Sequence, residues 1–181
     1  MASKDVMLDI ETMSTEPDAL VLSIGAIKFD CLGKECPWFG ERFFVVPDFM
    51  EQVMMGRSIS KDTQKFWATQ NPEAAAHWAD PIPDSKISVQ GAMLKLHTFC
   101  SDAPRIWANG IVFDIGILEG LFKQAHVKVP WKYNAPRDAR TFYDTNPEVR
   151  KYAGEVSVLK HHPIVDCESQ ILRLWEHGWS Q

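Results

Sequence analysis

Three runs of mostly apolar residues open the chain and predict three strands. The first covers residues 5–10, the second residues 21–29 and the third residues 43–46, where Pro47 ends the pattern. Apolar runs of this length, bounded by polar loops and turn residues, are typical of buried strands. Because the connections between the three runs are short, the pattern predicts an antiparallel meander.

After the third run, the spacing of apolar residues becomes helical. Helices are predicted over residues 60–70, from residue 71, over 88–100, 113–126 and 138–144, and from residue 162. Residues 79–85 form a predicted loop, and residues 105–108 and 131–136 are predicted strands. Strands followed by helices that alternate with strands predict an α/β fold around one mixed sheet. With no interior linker apparent, residues 1–181 are predicted to form a single domain.

Composition places the chain among ordinary globular proteins. It has 181 residues, of which 45% are hydrophobic and 24% charged. These values exclude a disordered chain, a collagen-like repeat and a small disulfide scaffold. No apolar run approaches the roughly 20 residues that cross a bilayer, and the first residues do not have the pattern of a signal peptide. We therefore expect a cytoplasmic protein without a membrane partner.

Charge restricts the kind of nucleic-acid contact that the chain can make. It carries 19 Lys and Arg against 24 Asp and Glu, a formal net charge of −5. Proteins that hold a long duplex through its phosphates are usually basic. The balance therefore argues against an extended electrostatic interface. It is compatible with a small site in which divalent cations handle phosphate.

Acidic residues and one histidine form three candidate motifs. Asp9 and Glu11 alternate along the first strand, so both carboxylates can point to one side, where a divalent cation could bridge them. Asp114 lies near the start of a helix that follows an apolar strand. His161 and Asp166 flank the start of the last helix. Each motif alone also has a purely structural interpretation, such as a first-turn acid favoured by the helix dipole.

Taken in order, these motifs resemble those of the DEDDh group of 3′–5′ exonucleases. That group includes DNA polymerase proofreading subunits, ribonuclease T and oligoribonuclease. The residues that carry the resemblance are Leu8-Asp9-Ile10-Glu11-Thr12, Ser23-Ile24-Gly25-Ala26, Asn109 to Asp114 with Leu118, and His161 to Asp166. The segments Trp107-Ala108-Asn109-Gly110 and Arg137-Asp138-Ala139-Arg140-Thr141 are similar to a subgroup of mycobacterial exoribonuclease-like and phage-encoded enzymes. Gly110 and Pro163 depart from the residues that many members of the group have at these positions.

The resemblance implies a fold, cofactors and a reaction. The implied fold is ribonuclease H-like, with a mixed five-stranded sheet whose first three strands are antiparallel, flanked by helices. It implies two Mg²⁺ or Mn²⁺ ions, with the ligands Asp9, Glu11, Asp114 and Asp166. The donor chemistry agrees, because hard cations prefer carboxylate oxygens, and two such ions can serve an in-line displacement at phosphorus.

In the resembled reaction, His161 is the general base for the attacking water. The reaction releases nucleoside 5′-monophosphates from the free 3′ end of single-stranded RNA or DNA. The five-residue offset to Asp166 selects His161 over the adjacent His162. Because relatives often form homodimers, a homodimer is a further expectation from the resemblance.

Further residues are candidates for substrate binding. The predicted set is Thr12, Met13, Trp67, Asn109 and Phe113, the last contributing mainly by packing. Phe66 is an alternative to Trp67 for stacking on a base, since most of the seven tryptophans are expected in the core. Arg137 and Arg140 either reach phosphate or pair with local acids, and we favour an ion pair for Arg140.

Two other functions remain open from the sequence. One is a nucleic-acid-binding module that has lost catalysis, against which the presence of all five motif residues argues. The other is a phosphodiesterase limited to dinucleotides and very short oligonucleotides, with which the few basic residues are compatible. Discrimination between RNA and DNA rests on contact with the 2′-hydroxyl, and the sequence does not place that contact.

Overall fold

The computed structural model describes residues 4–30, 39–79, 86–145 and 161–178. Its strands are β1 (Asp5–Thr12), β2 (Val21–Phe29), β3 (Phe39–Pro47), β4 (Lys86–Ile87), β5 (Ile106–Ala108) and β6 (Pro136–Asp138). Its helices are α1 (Phe49–Met54), α2 (Lys61–Thr69), α3 (Pro72–Ala79), α4 (Val89–Cys100), α5 (Ile111–Gln124), α6 (Ala139–Thr145) and α7 (Pro163–Gly178). Within these ranges, no helix has both the length and the apolar character needed to cross a membrane.

The strands form one mixed sheet in the order β4-β3-β2-β1-β5-β6. Strands β1, β2 and β3 pair antiparallel, which confirms the predicted meander. Strand β4 runs parallel to β3, β5 runs parallel to β1, and β6 runs parallel to β5. The described sheet therefore has six strands where five were expected. The additional strand, β4, has only two residues, too few to produce a periodic pattern in the sequence.

The predicted strand over residues 131–136 is wrong. The strand in this region begins only at Pro136. The preceding Ala135 N–H donates to the carbonyl of Lys132, which makes a turn. Trp131 is buried against the ring of Phe122, with the ring centroids 5.6 Å apart. Its apolar side chain therefore fills the core from a loop, and the sequence pattern does not distinguish this from a strand.

The helices follow the sequence pattern closely, apart from α1. Ser60 and Ser88 cap α2 and α4 by accepting from the N–H of Thr63 and Gly91. Helix α5 begins two residues earlier than predicted, at Ile111. Helix α1 was not predicted, because it is six residues long and mostly exposed.

The two faces of β1 pack against different hydrophobic clusters. Val6, Leu8 and Ile10 point to the main hydrophobic core, which they share with α4 and α5. Met7 points to the opposite face and belongs to a second buried cluster, formed with α6 and α7. By the alternation of a strand, Asp9 shares the face of Met7. The acidic end of β1 thus lies on the side of the sheet covered by α7.

Gly25 allows α7 to begin directly on the sheet. In the β1–β2 register, Gly25 pairs with Asp9. A Cβ added to Gly25 would lie 2.7 Å from the Cβ of Pro163 and 2.9 Å from the nitrogen of Ile164. Atoms do not approach so closely, so any larger residue would push the helix away. The glycine therefore lets the first turn of α7 lie beside Asp9.

Candidate active site

Three carboxylates converge where β1 ends and α7 begins. Asp9 and Glu11 come from β1, and Asp166 comes from the first turn of α7. Each offers an oxygen atom, and these three atoms lie within 4.8 Å of one another. Such an arrangement can hold a divalent cation, because hard cations bind carboxylate oxygens.

Asp114 approaches the same place from α5. It is only 4% exposed, and its Oδ1 accepts a hydrogen bond of 3.2 Å from the N–H of Ile10, which lies between Asp9 and Glu11. The helix begins after Gly110, whose φ of +117° is favourable only for glycine. The carboxyl group of Asp114 is thus fixed to the backbone of β1.

The four carboxylates line one pocket of about 270 Å³. The remaining side chains of its wall come from β1, from the start of α5, from His161 and from one face of α7, namely Ile10, Asn109, Phe113, His161, Ser169, Gln170 and Arg173. Two of the five predicted substrate-binding residues, Asn109 and Phe113, therefore lie in the same pocket as the predicted metal ligands.

The pocket disfavours ionised carboxylates in the absence of a cation. Burial raises the pKa of Glu11 to about 9, and the charges of Asp166 and Asp114 add to this rise. Burial, followed by the charge of Asp114, raises the pKa of Asp9 well above its ordinary value. Burial also raises the pKa of Asp114 to about 7, although backbone hydrogen bonds and Arg140 lower it. Crowded oxygen donors that resist ionisation in this way fit a site that cations complete.

His161 lies at the edge of the acidic pocket. Its Nδ1 is 3.8 Å from Oε1 of Glu11, and its side chain is 33% exposed. The backbone of His161 has a φ of +68°, in the left-handed region. The edges of the rings of Phe66 and Trp67 are near its imidazole, at centroid distances of 5.2 and 5.8 Å. His161 therefore has access to both the carboxylates and solvent.

The adjacent His162 lies in a different environment. Its ring stacks on Phe44 at 5.3 Å and lies 4.6 Å from the ring of His77. Its Nδ1 accepts from the N–H of Ile164. Burial lowers the pKa of His162. The two neighbouring histidines thus contact different sets of side chains.

The remaining predicted substrate residues lie around the end of β1. Trp67 is 8% exposed, and its indole N–H donates to the carbonyl of Thr12. The hydroxyl of Thr12 donates to the carbonyl of Ser14, and Met13 packs on the buried cluster that includes Trp67. Phe66 is 41% exposed, so it presents more ring surface for stacking than Trp67 does. Both aromatic residues line a neighbouring pocket of about 540 Å³ that also includes Glu11 and Thr12.

Arg140 contacts the backbone at the start of α5. Its Nη2 donates to the carbonyl of Asn109 at 2.9 Å. The carboxylate of Asp138 accepts from the backbone N–H of Arg140, a contact that does not involve the guanidinium. The charge of Arg140 instead acts on Asp114, whose pKa it lowers. The nearby Arg137 donates to main-chain carbonyls, among them that of Asn134.

Sequence reasoning missed the other pocket residues of α7. Gln170 donates from Nε2 to Oδ1 of Asp9 at 2.9 Å. Ser169 and Arg173 also line the pocket. These residues follow Asp166 by three, four and seven positions, the spacing of one helix face. That spacing is the signal that would have identified them once Asp166 was placed on a helix.

Comparisons with known proteins identify the family. A model described as the 3′–5′ exoribonuclease Rv2179c-like domain matches residues 4–179. Among solved structures, the nuclease domain of 3′hExo, a DEDDh family member bound to rAMP, has a similar fold, with a TM-score of 0.54 and 10% sequence identity. That match covers 96% of this chain and 91% of the other. Comparison with curated proteins gives no match. Because the family model spans nearly the whole sequence, the chain belongs to the Rv2179c-like 3′–5′ exoribonuclease domain family and is a 3′–5′ exonuclease.

Proposed function

We propose that this protein hydrolyses the terminal phosphodiester at the 3′ end of single-stranded nucleic acid and releases nucleoside 5′-monophosphates. One observation carries the proposal: four carboxylates line one pocket, and His161 lies at its edge. RNA is the proposed preferred substrate, because the family that matches the chain is described as exoribonuclease. The net charge of −5 favours contact with a short single-stranded end over an extended duplex interface.

Two Mg²⁺ or Mn²⁺ ions are the proposed cofactors. Asp9, Glu11, Asp114 and Asp166 would hold them. The fit rests on the donor set, which consists of carboxylate oxygen atoms. It also rests on the raised pKa values of Asp9, Glu11 and Asp114, which reflect burial first and, for Asp9 and Glu11, the charges of the neighbouring acids. When bound, two such ions would stabilise the negative charge that develops on the attacking and leaving oxygens.

His161 is the proposed general base. The water oxygen forms a bond to phosphorus, the bond from phosphorus to the 3′ oxygen of the preceding nucleotide breaks, and His161 takes the proton that the water loses. Its position beside Glu11 and its partial exposure support this role, since a proton acceptor needs access both to the site and to bulk water. The departing 3′ oxygen takes its proton from solvent.

The neighbouring 540 Å³ pocket is the proposed location of the terminal nucleoside. Phe66 contributes an exposed aromatic ring, and stacking on such a ring tolerates any base. The ring of Trp67 packs against that of Phe66. The hydrogen bond from the Trp67 indole N–H to the carbonyl of Thr12 connects this aromatic pair to β1. Asn109 and Phe113 are proposed to contact the nucleotide on the other side of the carboxylates.

Digestion of 5′-labelled single-stranded RNA and DNA tests the proposal. With Mg²⁺ or Mn²⁺, a descending ladder is expected, and a 3′-phosphate on the substrate should block the reaction. Immediate release of the labelled 5′ nucleotide would contradict the polarity, and full activity in excess EDTA would contradict the metal requirement. Comparing a dinucleotide with a longer oligonucleotide separates the proposed enzyme from a phosphodiesterase that acts only on very short substrates.

A further inference from the structure

Two buried glutamines of this protein have opposite kinds of surroundings. Gln52 is fully buried, and its amide bonds at both ends to the main chain of Val21: Nε2 donates to the carbonyl, and Oε1 accepts from the N–H, each at 2.8 Å. Gln170 is 5% exposed, and its Nε2 donates to Oδ1 of Asp9 at 2.9 Å. Its buried Oε1 has no hydrogen-bond partner among the described residues.

The amide of Gln170 has a hydrogen-bond partner among the described residues for its Nε2 but not for its Oε1. A buried polar atom without a partner costs free energy, and an apolar side chain of similar shape avoids that cost. The fully bonded amide of Gln52 is explained by the fold, since it joins α1 to Val21, the first residue of β2. The amide of Gln170 makes one hydrogen bond, and that bond goes to a carboxylate of the acidic pocket.

A hydrogen bond from α6 fixes the backbone of Gln170. Its carbonyl accepts a hydrogen bond of 2.9 Å from the hydroxyl of Tyr143, a buried residue of α6. It lies one helical turn after Asp166, so both side chains leave α7 on the same face. The side chain therefore reaches Asp9 from a backbone fixed by two neighbouring elements.

The chemistry of the donor suits a carboxylate that must still bind a cation. Lys or Arg at this position would neutralise Asp9 and compete with the cation for its charge. An amide N–H is neutral, so it orients the carboxylate and leaves the negative charge available. Among the described residues, Gln170 is the one hydrogen-bond donor to the Asp9 side chain.

From these contacts, we infer that Gln170 is a positioning residue that holds the Asp9 carboxylate in the orientation in which it binds a divalent cation. The inference rests on the proposed metal site. It assigns Gln170 no contact with substrate. It predicts a defect in metal binding and not in the rate of the metal-saturated enzyme, because excess cation compensates for a poorly oriented ligand.

Mn²⁺ titration of the metal-free protein by calorimetry, without substrate, tests the inference. Gln170→Met keeps a similar volume and removes the donor, and we expect it to raise the Kd for Mn²⁺ by about 10–100-fold, the usual effect of losing a group that orients a metal ligand. Gln170→Asn keeps the amide but shortens it, and we expect a smaller rise in Kd. In both variants, activity should approach that of the wild type at saturating Mn²⁺.

Gln52→Met is the matched control. It removes the two buried hydrogen bonds to Val21, and Gln52 does not line the acidic pocket. It should therefore lower the Tm and leave the Kd for Mn²⁺ unchanged. Circular dichroism verifies that each Gln170 variant is folded, and Gln170→Asn serves if Gln170→Met does not fold. Folded Gln170 variants that bind Mn²⁺ like the wild type, while Asp9→Ala does not bind it, would overturn the inference and leave the proposed function standing. A wild-type protein that does not bind Mn²⁺ would overturn both.

Discussion

Strand β1 carries two aspartates, Asp5 and Asp9, whose surroundings have opposite charge. Asp5 is 2% exposed and has two partners: the guanidinium of Arg105, at 2.9 Å, and the indole N–H of Trp107, at 2.9 Å. Asp9, four residues later on the same strand, shares its pocket with Glu11, Asp114 and Asp166. At one end of β1, Arg105 places a positive charge beside Asp5. At the other end, three further acids surround Asp9.

This difference separates a carboxylate that stabilises the fold from one that we propose to bind a cation. A buried charge is stable in a fold when the fold also supplies its partner. Asp5 meets that condition, and its bonds to Arg105 and Trp107 join β1 to β5. Asp9 does not meet it, because burial, followed by the charges of the acids around it, raises the pKa of Asp9. The acidic end of β1 is therefore the part of the strand at which we propose that a cation binds.

Removal of a proposed metal ligand should have the largest effect on activity. Asp9→Asn and Asp114→Asn each take away an anionic ligand. We expect them to lower exonuclease activity on 5′-labelled RNA by more than the roughly 10–100-fold typical of outer-shell changes. Asp5→Asn is the matched control on the same strand, and its folded fraction should retain activity. Equal loss of activity in Asp5→Asn and Asp9→Asn would remove the distinction between the two aspartates.

The second largest effect is expected at His161. His161→Ala should lower turnover by roughly 10²–10⁴-fold, the range for a positioned proton acceptor, with the affinity for Mn²⁺ nearly unchanged. His162→Ala is the control, because the ring of His162 stacks on Phe44 and lies against His77. Single-turnover rates at saturating Mn²⁺ measure both variants. If His162→Ala loses activity and His161→Ala keeps it, the assignment of the base is wrong.

Stability should change in opposite directions at the two aspartates. Asp5→Ala leaves the Trp107 N–H and Arg105 without their acceptor, so we expect it to lower the free energy of unfolding by about 1–3 kcal/mol. In EDTA, Asp9→Asn removes repulsion among the acids, and we expect it to raise the Tm. Denaturant and thermal unfolding of the metal-free proteins measure these changes. A lower Tm for Asp9→Asn in EDTA would show that repulsion is not the dominant force in the pocket.

The last prediction concerns the pH dependence of the stability of the metal-free protein and not its activity. The pKa of Glu11 is raised from an ordinary value of 4.5 to about 9. A carboxyl group with a raised pKa stabilises the fold while it is protonated, and this contribution is lost as the pH rises from its unfolded to its folded pKa. The Tm in EDTA should therefore fall between about pH 4.5 and pH 9, and Glu11→Gln should reduce the slope. A slope unchanged by Glu11→Gln would assign the pH dependence to other groups.

Much of the fold could be predicted from the sequence because its elements have clear periods. The three antiparallel strands and helices α4 and α5 follow from the apolar spacing. Strand β4 and helix α1 could not be predicted, because two and six residues do not define a period. Trp131 misled the prediction of the following strand, since it is buried from a loop. The pattern of apolar residues in the sequence indicates which residues are buried. It does not indicate whether a buried residue lies in a strand or in a loop.

The site was accessible to sequence reasoning only in part. The alternation of Asp9 and Glu11 is a local signal, whereas the roles of Asp114, His161 and Asp166 came from resemblance. The bond from Gln170 to Asp9 joins residues 161 positions apart. The helical spacing from Asp166 indicates the face on which Gln170 lies, and it does not indicate the partner of its side chain. Gly25 belongs to a segment that carries the resemblance, but its structural role could not be predicted from the sequence, because that role depends on how closely α7 approaches β2.

Anomalous diffraction from crystals grown with Mn²⁺ tests directly whether the four carboxylates bind the cation, because it locates Mn²⁺ without relying on activity. We expect anomalous density in the pocket formed by Asp9, Glu11, Asp114 and Asp166, and loss of that density in crystals of Asp9→Asn. Mn²⁺ bound only elsewhere on the molecule, in a crystal of protein that digests RNA with Mn²⁺, would contradict it.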